Sequence, residues 1–342
     1  MTAVAEDKAP IPGPTDAEDK LTEELKARGM QVMDPQWGYR MIVQPDGLLL
    51  PPFADIPTCH ELRERFEIRS HDVSLVTYPK CGTAWMQQVL CLLTRGSDTD
   101  INPLEDAKWY EATASMAKLG SAMVIQNKKQ VTLDDMINFP VPDESTSGYR
   151  VWKTHSPLGS LPWKGGIEQA QAVGSKIVIV SRNPKDTAIS KFHHTKKLKP
   201  MLQFDGEWEQ FAPLFLAGRV SHNSYWDWHR DWWLAKEKYP ENILWLQFED
   251  MKQDLEKEIR RVAVFLNLER SDEEIKKVTE RCTFSSMKAE SKERNDTSAK
   301  KEHFRSGKSG GWASFMPKET IAEFDAKTEK MYSDCSFRFS EK

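Results

Sequence analysis

The chain has 342 residues, 39% of them hydrophobic and 29% charged, with a formal net charge of −4 and a pI of about 6.1. These values are typical of a soluble globular protein, and without a basic excess they argue against a nucleic-acid partner. No run approaches the ~18 apolar residues of a spanning helix, so we predict no membrane contact. The five scattered cysteines lack a CxxC pair, which argues against a disulfide scaffold or zinc cluster and favours a cytoplasmic location.

Residues 1–35 are predicted to form a flexible N-terminal extension. Residues 1–20 are rich in Pro, Ala, Asp, Glu and Lys, contain almost nothing to bury and lack the apolar core of a signal peptide. Residues 21–33 favour at most a short helix. Residues 36–342 show no internal repeat and no break in composition, so we expect a single domain there.

A strand, a tight loop and a helix are predicted in succession near the start of this domain. Val73 to Thr77 is a short β-branched run, residues 78–82 contain a Pro and a Gly, and apolar residues recur at helical spacing from Thr83. The unpaired amide groups at the start of such a helix, with Lys80 beside them, favour anion binding. The loop is P-loop-like only, because its Lys precedes its Gly and the GxxxxGK pattern is not met.

Further apolar runs predict the other strands of a parallel sheet. They cover residues 148–154, 176–180 and 243–248 and are separated by helical patterns. Strands of this kind are buried on both faces, so the sequence predicts an α/β fold with a central parallel sheet flanked by helices. Residues 96–145 show little pattern, and the charged residues 288–303 are predicted to form a mobile loop.

Basic and polar side chains follow these strands at the edge where ligands bind in open α/β sheets. They are Lys80, residues 153–155, Arg182 with Ser190 after it, and a Gly-rich turn beginning at Arg305. Each alone has an ordinary explanation as a surface charge or a structural histidine. Together they favour an anionic ligand with phosphate at two places. No Asp ends an apolar strand to hold Mg²⁺, so transfer is predicted to be metal-free.

These segments together resemble the cytosolic sulfotransferase family. The resemblance runs in the family's order from about residue 48 to the C-terminus, and it implies the sulfotransferase fold with its P-loop-like strand, loop and helix. The N-terminal extension lies outside it. The matching segments are residues 77–85 (TYPKCGTAW), 153–155 (KTH), 182–186 (RNPKD) with Ser190, 232–233 (WW), 248–251 (FEDM) and 305–312 (RSGKSGGW).

The resemblance implies that 3′-phosphoadenylyl sulfate (PAPS) is the sulfuryl donor, that PAP is the product and that no metal takes part. By matching position, the 5′-phosphosulfate loop consists of Lys80, Cys81, Gly82, Thr83, Ala84 and Trp85. The residues matched to the 3′-phosphate are Arg182, Ser190, Arg305, Ser306 and Gly307. The residues matched to the adenine are Trp85, Phe248, Cys282, Phe284 and Met287.

The same matching assigns the chemistry. His155 matches the catalytic base that takes the acceptor proton, Lys153 matches a lysine at the transferring group, and Lys80 stabilises the departing phosphate. The implied acceptor is a small molecule: a phenol, a sterol, another alcohol or an amine. Together with Lys153 and His155, the positions at or near the acceptor pocket are Trp109, Tyr110, Tyr149, Phe192 and His194.

The chain departs from the family pattern in its donor site. Cys81 replaces a Ser, Ala84 a Thr, Phe248 a Tyr and Ser306 a Lys, which removes hydrogen bonds and charge. Cys81, beside Lys80 and a helix N-terminus, is expected to have a lowered pKa. The family's dimer motif is not recognisable near the C-terminus, so its homodimer is not predicted.

Two other classes of function stay open. One is a metal-dependent nucleotide kinase on a similar fold, against which the misplaced Lys and the missing Asp argue. The other is a non-catalytic nucleotide-binding relative, which the departures make conceivable. The presence of Lys80, Lys153, His155, Arg182 and Ser190 favours the enzyme.

Overall fold

The computed structural model describes residues 29–34, 36–118, 125–126, 129–130, 132–139, 148–294 and 307–340. A small antiparallel sheet precedes a five-stranded parallel sheet. The small sheet contains β1 (Met30–Asp34), β2 (Tyr39–Val43) and β3 (Leu49–Leu50). The later strands are β4 (Asp72–Thr77), β5 (Lys108–Trp109), β6 (Ile125–Gln126), β7 (Lys129–Gln130), β8 (Arg150–Thr154), β9 (Lys176–Ser181) and β10 (Ile243–Gln247).

The central sheet has the strand order β10-β9-β4-β8-β5, and every neighbouring pair in it is parallel. This confirms the predicted α/β fold. The strands predicted at residues 73–77, 148–154, 176–180 and 243–248 correspond to β4, β8, β9 and β10. The edge strand β5 has two residues, too few to show an alternating pattern, and the sequence did not predict it.

Helices flank the sheet and connect its strands. Those before β8 are α1 (Ile56–Arg65), α2 (Thr83–Arg95), α3 (Pro103–Asp106), α4 (Tyr110–Lys118) and α5 (Leu133–Ile137). Those after β8 are α6 (Gly166–Ala172), α7 (Pro184–Lys197), α8 (Lys199–Leu202), α9 (Trp208–Leu216), α10 (Tyr225–Lys238), α11 (Phe248–Gln253), α12 (Leu255–Phe265), α13 (Asp272–Arg281), α14 (Phe284–Glu293) and α15 (Lys318–Met331). Among the described residues, no helix has the length and apolar character needed to cross a bilayer.

The central strand β4 is buried on both faces. Its side chains alternate between two hydrophobic clusters because successive residues of a strand point to opposite faces. Val76 packs in one cluster with Trp152 and Ile179, whereas Val73 and Leu75 pack in the other with α2. This double burial explains why the strand reads as a continuous apolar run rather than an alternating one.

Two segments differ from the prediction. Helix α14 includes the first residues of the stretch 288–303 that was predicted to be a mobile loop. Contacts made by Glu290 with Arg281 at 3.1 Å and Gln88 at 2.8 Å hold this charged helix against the domain. Strand β1 lies inside residues 1–35, where Met30 and Met33 bury their side chains. Neither kind of tertiary contact can be read from local composition.

The parallel register brings the carboxyl ends of four strands to one edge. Thr77 pairs with Val180, Val76 with Thr154, and Gln247 with Ser181. The segments that follow β4, β8, β9 and β10 therefore start side by side. Ligands of open α/β sheets bind at this edge.

Candidate active site

The loop between β4 and α2 lies at the carboxyl edge of the sheet. Lys80 and Gly82 have positive φ angles of 78° and 92°. No side chain of the described residues caps the first turn of α2, so its first amide groups are available to bind an anion. A Cβ atom at Gly82 would lie 3.0 Å from the Phe248 ring, which explains the glycine. The hydroxyls of Thr83 and Thr77 form a 2.7 Å hydrogen bond across the loop.

Arg182 directly follows β9, at the same carboxyl edge of the sheet. Its guanidinium carbon lies 4.3 Å from the centroid of the Phe248 ring. The two terminal nitrogens donate to the carbonyls of Lys80 at 3.3 Å and Lys308 at 2.9 Å. Its Nε is buried and has no hydrogen-bond partner among the described residues. A buried donor of this kind fits an anionic ligand that is bound at this edge.

An aromatic group lies beside Arg182. The indole of Trp85 donates to the carbonyl of Cys282 at 2.7 Å, and its ring meets that of Phe248 edge to face with centroids 5.3 Å apart. Gly307 has a φ of 61°, and a Cβ atom there would lie 2.4 Å from the Phe284 ring. The structure therefore brings together α2, α11, α14 and the turn at Gly307, which are distant in the sequence.

For the remaining residues matched to the donor, the structure gives a position and a degree of burial. Ala84 is partly buried in the first turn of α2, Ser190 is partly buried on α7, and Met287 is buried on α14. Arg305 and Ser306 lie outside the described residues. Within the described part of the chain, no group of three or more His, Cys, Asp or Glu side chains is arranged to hold a metal ion.

His155 follows β8 and is fixed by two backbone contacts. Its Nδ1 lies 2.7 Å from the carbonyl oxygen of Thr77, and because a carbonyl only accepts, Nδ1 carries the hydrogen. The carbonyl of His155 accepts from the indole of Trp228 at 3.1 Å. The neutral ring therefore holds its lone pair on Nε2, the atom that a general base uses.

Burial, more than the neighbouring basic groups, keeps this imidazole neutral. Burial lowers the pKa of His155 well below 6.5, and His222, Lys153 and Lys191 lower it further, while the hydrogen bond to Thr77 opposes the shift. The free base is therefore the main form at neutral pH. A proton that reaches Nε2 would be stabilised only if negative charge arrived nearby.

Lys153 is a buried cation near the carboxyl end of β8. Its ammonium lies 4.4 Å from the centroid of the Trp109 ring, and that ring meets His155 edge to face at 5.0 Å. Burial lowers the pKa of Lys153 to about 8, with Glu111 acting in the opposite direction and Lys80 in the same one. Lys153 thus remains mostly protonated at pH 7.

Glu111 of α4 holds the segment that carries His155, and no motif indicated it. Its Oε1 accepts hydrogen bonds from the hydroxyls of Thr154 and, at 2.5 Å, Ser156. Burial raises the pKa of the Glu111 carboxyl, and these hydrogen bonds offset part of the rise. Glu111 lies in the stretch with little sequence pattern, so only the fold shows this contact.

Two further basic residues lie beside His155, and the sequence offered no signal for either. His222, in the loop between α9 and α10, meets His155 edge to face with ring centroids 5.3 Å apart. Lys191 of α7 donates to the carbonyl of Ser221 at 2.8 Å and to its hydroxyl at 2.9 Å, and its ammonium lies 4.8 Å from the Tyr78 ring. Burial lowers the pKa of Lys191 to about 7.

Of the residues matched to the acceptor pocket, Trp109 is the one that the structure places against His155. Tyr110 lies in the core, where its hydroxyl is 3.1 Å from that of Ser74 and its ring stacks on Trp152. Tyr149 precedes β8 and so lies at the opposite edge of the sheet from His155. The structure therefore does not bring Tyr149 to the carboxyl edge, and it directs the side chain of Tyr110, which follows β5, into the core.

Phe192 and His194 both lie on α7. Phe192 is buried in an aromatic cluster with Trp208, Phe211 and Phe315. His194 is partly buried in the last turns of the helix. Phe192 therefore packs between α7 and α9.

The expected pKa of Cys81 was wrong. The side chain is fully buried, with its sulfur 3.5 Å from the hydroxyl of Thr187. Burial raises the pKa of the Cys81 thiol to about 12, against smaller opposing effects of that hydrogen bond and of nearby cations. The prediction considered the adjacent Lys80 and the helix N-terminus, but the thiol points into the core, where its charged form loses hydration.

The chain is similar to known proteins over most of its length. The family model described as a sulfotransferase domain matches residues 70–336. Rat sulfotransferase 1 family member D1 is 29% identical over 312 residues, which cover 88% of this chain and 96% of the rat protein. Cytosolic sulfotransferase 12 of Arabidopsis thaliana is 28% identical over 288 residues, which cover 81% of this chain and 82% of the plant protein.

A solved structure of a mouse sulfotransferase complexed with PAP has the same fold. Its TM-score is 0.66 at 24% sequence identity, and the superposition covers 85% of this chain and 94% of the mouse chain. The strands and helices that carry the candidate site lie within residues 70–336, the part of this chain that the family model matches. The structural comparison and the sequence comparisons therefore both point to sulfotransferases.

Proposed function

This chain belongs to the sulfotransferase family, and from that premise we propose that it transfers a sulfuryl group from PAPS to a hydroxyl or amine of a small molecule. His155 is proposed as the general base of an in-line displacement. One observation carries this assignment: the 2.7 Å contact of His155 Nδ1 with the Thr77 carbonyl leaves Nε2 as the free basic atom of a ring that lies near Lys153.

The carboxyl edge of the sheet fits a donor with phosphate at two places. The uncapped first turn of α2, with Lys80 beside it, is proposed to hold the 5′-phosphosulfate. Arg182, whose buried Nε lacks a partner among the described residues, and Ser190 are proposed to hold the 3′-phosphate, together with residues 305–307. Trp85 and Phe248 are proposed to line the adenine site with Cys282, Phe284 and Met287.

The residues of this chain divide the catalytic work as follows. PAPS supplies an activated sulfuryl group when bound. His155 takes the acceptor proton at Nε2, and general bases of this kind contribute about 10²–10⁴-fold to rate. Lys153 and Lys80 place positive charge where negative charge develops, and the burial of Lys153 strengthens its interaction. Trp109 is proposed as a wall of the acceptor pocket.

The chemistry of these residues requires no metal, and we propose a metal-free reaction in the cytoplasm by a single domain. The acceptor is proposed to be a phenol, a sterol, another alcohol or an amine. The similarity to cytosolic sulfotransferase 12 of Arabidopsis thaliana supports this location.

The test is transfer from PAPS labelled with ³⁵S to a panel of phenols, sterols, aliphatic alcohols and amines, with EDTA present. Labelled products at undiminished rate in EDTA support the proposal. Binding of PAP without transfer to any acceptor would favour a non-catalytic nucleotide-binding protein. Phosphoryl transfer from ATP that requires Mg²⁺ would favour a kinase and contradict the proposal.

A further inference from the structure

We propose that His222 forms, together with His155, a two-imidazole acceptor subsite that selects molecules carrying a second hydroxyl on the carbon next to the reacting one. In this subsite Nε2 of His155 takes the proton of the reacting hydroxyl, and the His222 ring hydrogen-bonds the neighbouring hydroxyl. This inference rests on the proposed sulfuryl transfer and names the acceptor class for that site.

The geometry of the two rings carries the proposal. Their centroids are 5.3 Å apart at an interplanar angle of 72°, with the edge of one ring towards the face of the other. Neighbouring oxygens of one small molecule are close enough together to meet both rings at once. The Trp109 ring lies 5.0 Å from His155 and provides an apolar wall beside the pair.

The His222 ring is held at this place rather than mobile. His222 has a left-handed backbone with a φ of 68°, and its amide donates to the carbonyl of Leu49 at 2.7 Å. Asn223 follows it, accepts from the amide of Leu49 at 2.7 Å, and accepts through its carbonyl from the hydroxyl of Tyr78 at 2.9 Å. These contacts join the loop to β3 and to the donor loop.

His222 also has an unused polar atom. The side chain is only 4% exposed, and no hydrogen bond of normal geometry reaches its Nδ1 from the described residues. A buried donor or acceptor of this kind favours a ligand that supplies the missing partner. An acceptor with one hydroxyl leaves the His222 ring without a hydrogen-bond partner. An acceptor with a second hydroxyl next to the reacting one supplies that partner. Sites built to bond a substrate hydroxyl discriminate strongly against analogues that lack it.

The charges around the rings favour a hydroxyl over a carboxylate. Burial and then Lys191 lower the pKa of His222 well below 6.5, with the backbone of Ser221 opposing the shift, so the ring is neutral at pH 7. A neutral imidazole both donates and accepts, as a hydroxyl does. The ammonium of Lys191 already donates twice to Ser221 and faces the Tyr78 ring, so it is committed to the protein.

Other titratable groups near the pair do not change this assignment. Lys153 and Lys80 lie on the side of β8 and the donor loop, and Glu111 supports the segment after β8. Cys81 is buried as a thiol and carries no charge at neutral pH. In the transfer itself, the acceptor oxygen forms a bond to sulfur, the bond from sulfur to the phosphate oxygen breaks, and the acceptor proton moves to His155. Atoms and charge balance without any further reactant.

The experiment compares matched acceptors in the wild-type enzyme, His222→Phe and His222→Asn. The acceptors are phenol against catechol and cyclohexanol against cis-1,2-cyclohexanediol, with salicylate as the carboxylate analogue. The measured quantity is the ratio of kcat/KM for the diol to that for the mono-alcohol, divided by two for the equivalent hydroxyls. His222→Phe keeps a ring without nitrogen, and His222→Asn keeps a polar group that tolerates a left-handed backbone. PAP affinity and Tm of each variant report on folding.

The wild type is expected to prefer at least one diol by about 10-fold, from the cost of an unpaired buried polar group. The ratio should fall towards one in His222→Phe and stay partly raised in His222→Asn. A wild-type ratio near one, an unchanged ratio in a folded His222→Phe, or a preference for salicylate overturns the proposal. Transfer to none of these acceptors with PAP still binding also overturns it. Failure to bind PAP instead counts against the proposed function itself.

Discussion

The two ends of the central sheet differ in whether their buried charged side chains have an ion-pair partner within the protein. At the amino end, Arg150 donates from Nε and a terminal nitrogen to both carboxylate oxygens of Asp72, at 2.6 and 2.8 Å, and both side chains are fully buried. At the carboxyl end, Lys185 pairs with the exposed Asp325, whereas the buried Lys153 and Arg182 form no ion pair with any described residue. Because a buried charge is costly without a partner, the difference indicates that an anionic ligand completes one end and the protein itself completes the other.

Substitution of His155 should give the largest effect at the carboxyl end. His155→Asn removes the base on Nε2, so the rate of sulfuryl transfer should fall by about 10²–10⁴-fold while PAP affinity stays near that of the wild type. The matched control is His71→Asn, a partly buried histidine beside the amino end of β4. Transfer kinetics and PAP titrations of both variants check this. Near wild-type turnover in His155→Asn would remove His155 from the mechanism.

Substitution of Asp72 should give the largest effect at the amino end, and on stability rather than on transfer chemistry. Asp72→Ala leaves the Arg150 guanidinium buried without its partner, which should lower the free energy of unfolding by about 3–5 kcal/mol. The control is Asp98→Ala, which breaks an exposed 3.1 Å pair with Lys277 and should cost at most about 1 kcal/mol. Urea unfolding of both variants measures the difference. Similar losses in the two would contradict the contrast between buried and exposed pairs.

The pH dependence of stability isolates the buried cation at the carboxyl end. Lys191 has a folded pKa of about 7, below its usual 10.5, so between these values the unfolded state binds more protons and stability rises with pH. The wild type should gain stability relative to Lys191→Met at up to about 1.4 kcal/mol per pH unit across this window. Urea unfolding at pH 6, 7.5 and 9 measures it. A difference between the two proteins that does not change with pH would show that the pKa of Lys191 is the same in the folded and the unfolded protein.

Thiol labelling should give the smallest effect. Cys81 is fully buried and its pKa is raised to about 12, so iodoacetamide at pH 7.5 should leave it unmodified in the native protein, with or without PAP. Cys335 is partly exposed and serves as the internal control. Peptide mapping by mass spectrometry measures both sites. Rapid labelling of Cys81 before Cys335 would contradict the burial of the donor loop.

The sequence predicted the parts of this comparison that depend on local pattern. The apolar strands and the turn chemistry around Gly82 indicated the sheet and its carboxyl edge. Contacts between distant segments were not accessible in this way. Lys191 and His222 approach His155 only because α7 and the loop before α10 fold against the same edge. The pKa of Cys81 was predicted with the wrong sign because burial of its thiol depends on the packing of α7.

Binding of PAP tests the central claim most directly. The claim is that buried cations of the carboxyl edge without an ion-pair partner, such as Arg182, bind a doubly phosphorylated ligand. Strand β9 offers a matched pair of variants: Arg182→Met at its carboxyl end, and Lys176→Met at its amino end, where the ammonium contacts the carbonyl of Glu241 at 2.8 Å. Calorimetric titration should show PAP binding to the wild type, a Kd about 10- to 100-fold higher in Arg182→Met, and an unchanged Kd in Lys176→Met. No binding to the folded wild type, or equal affinity in all three proteins, would contradict the claim.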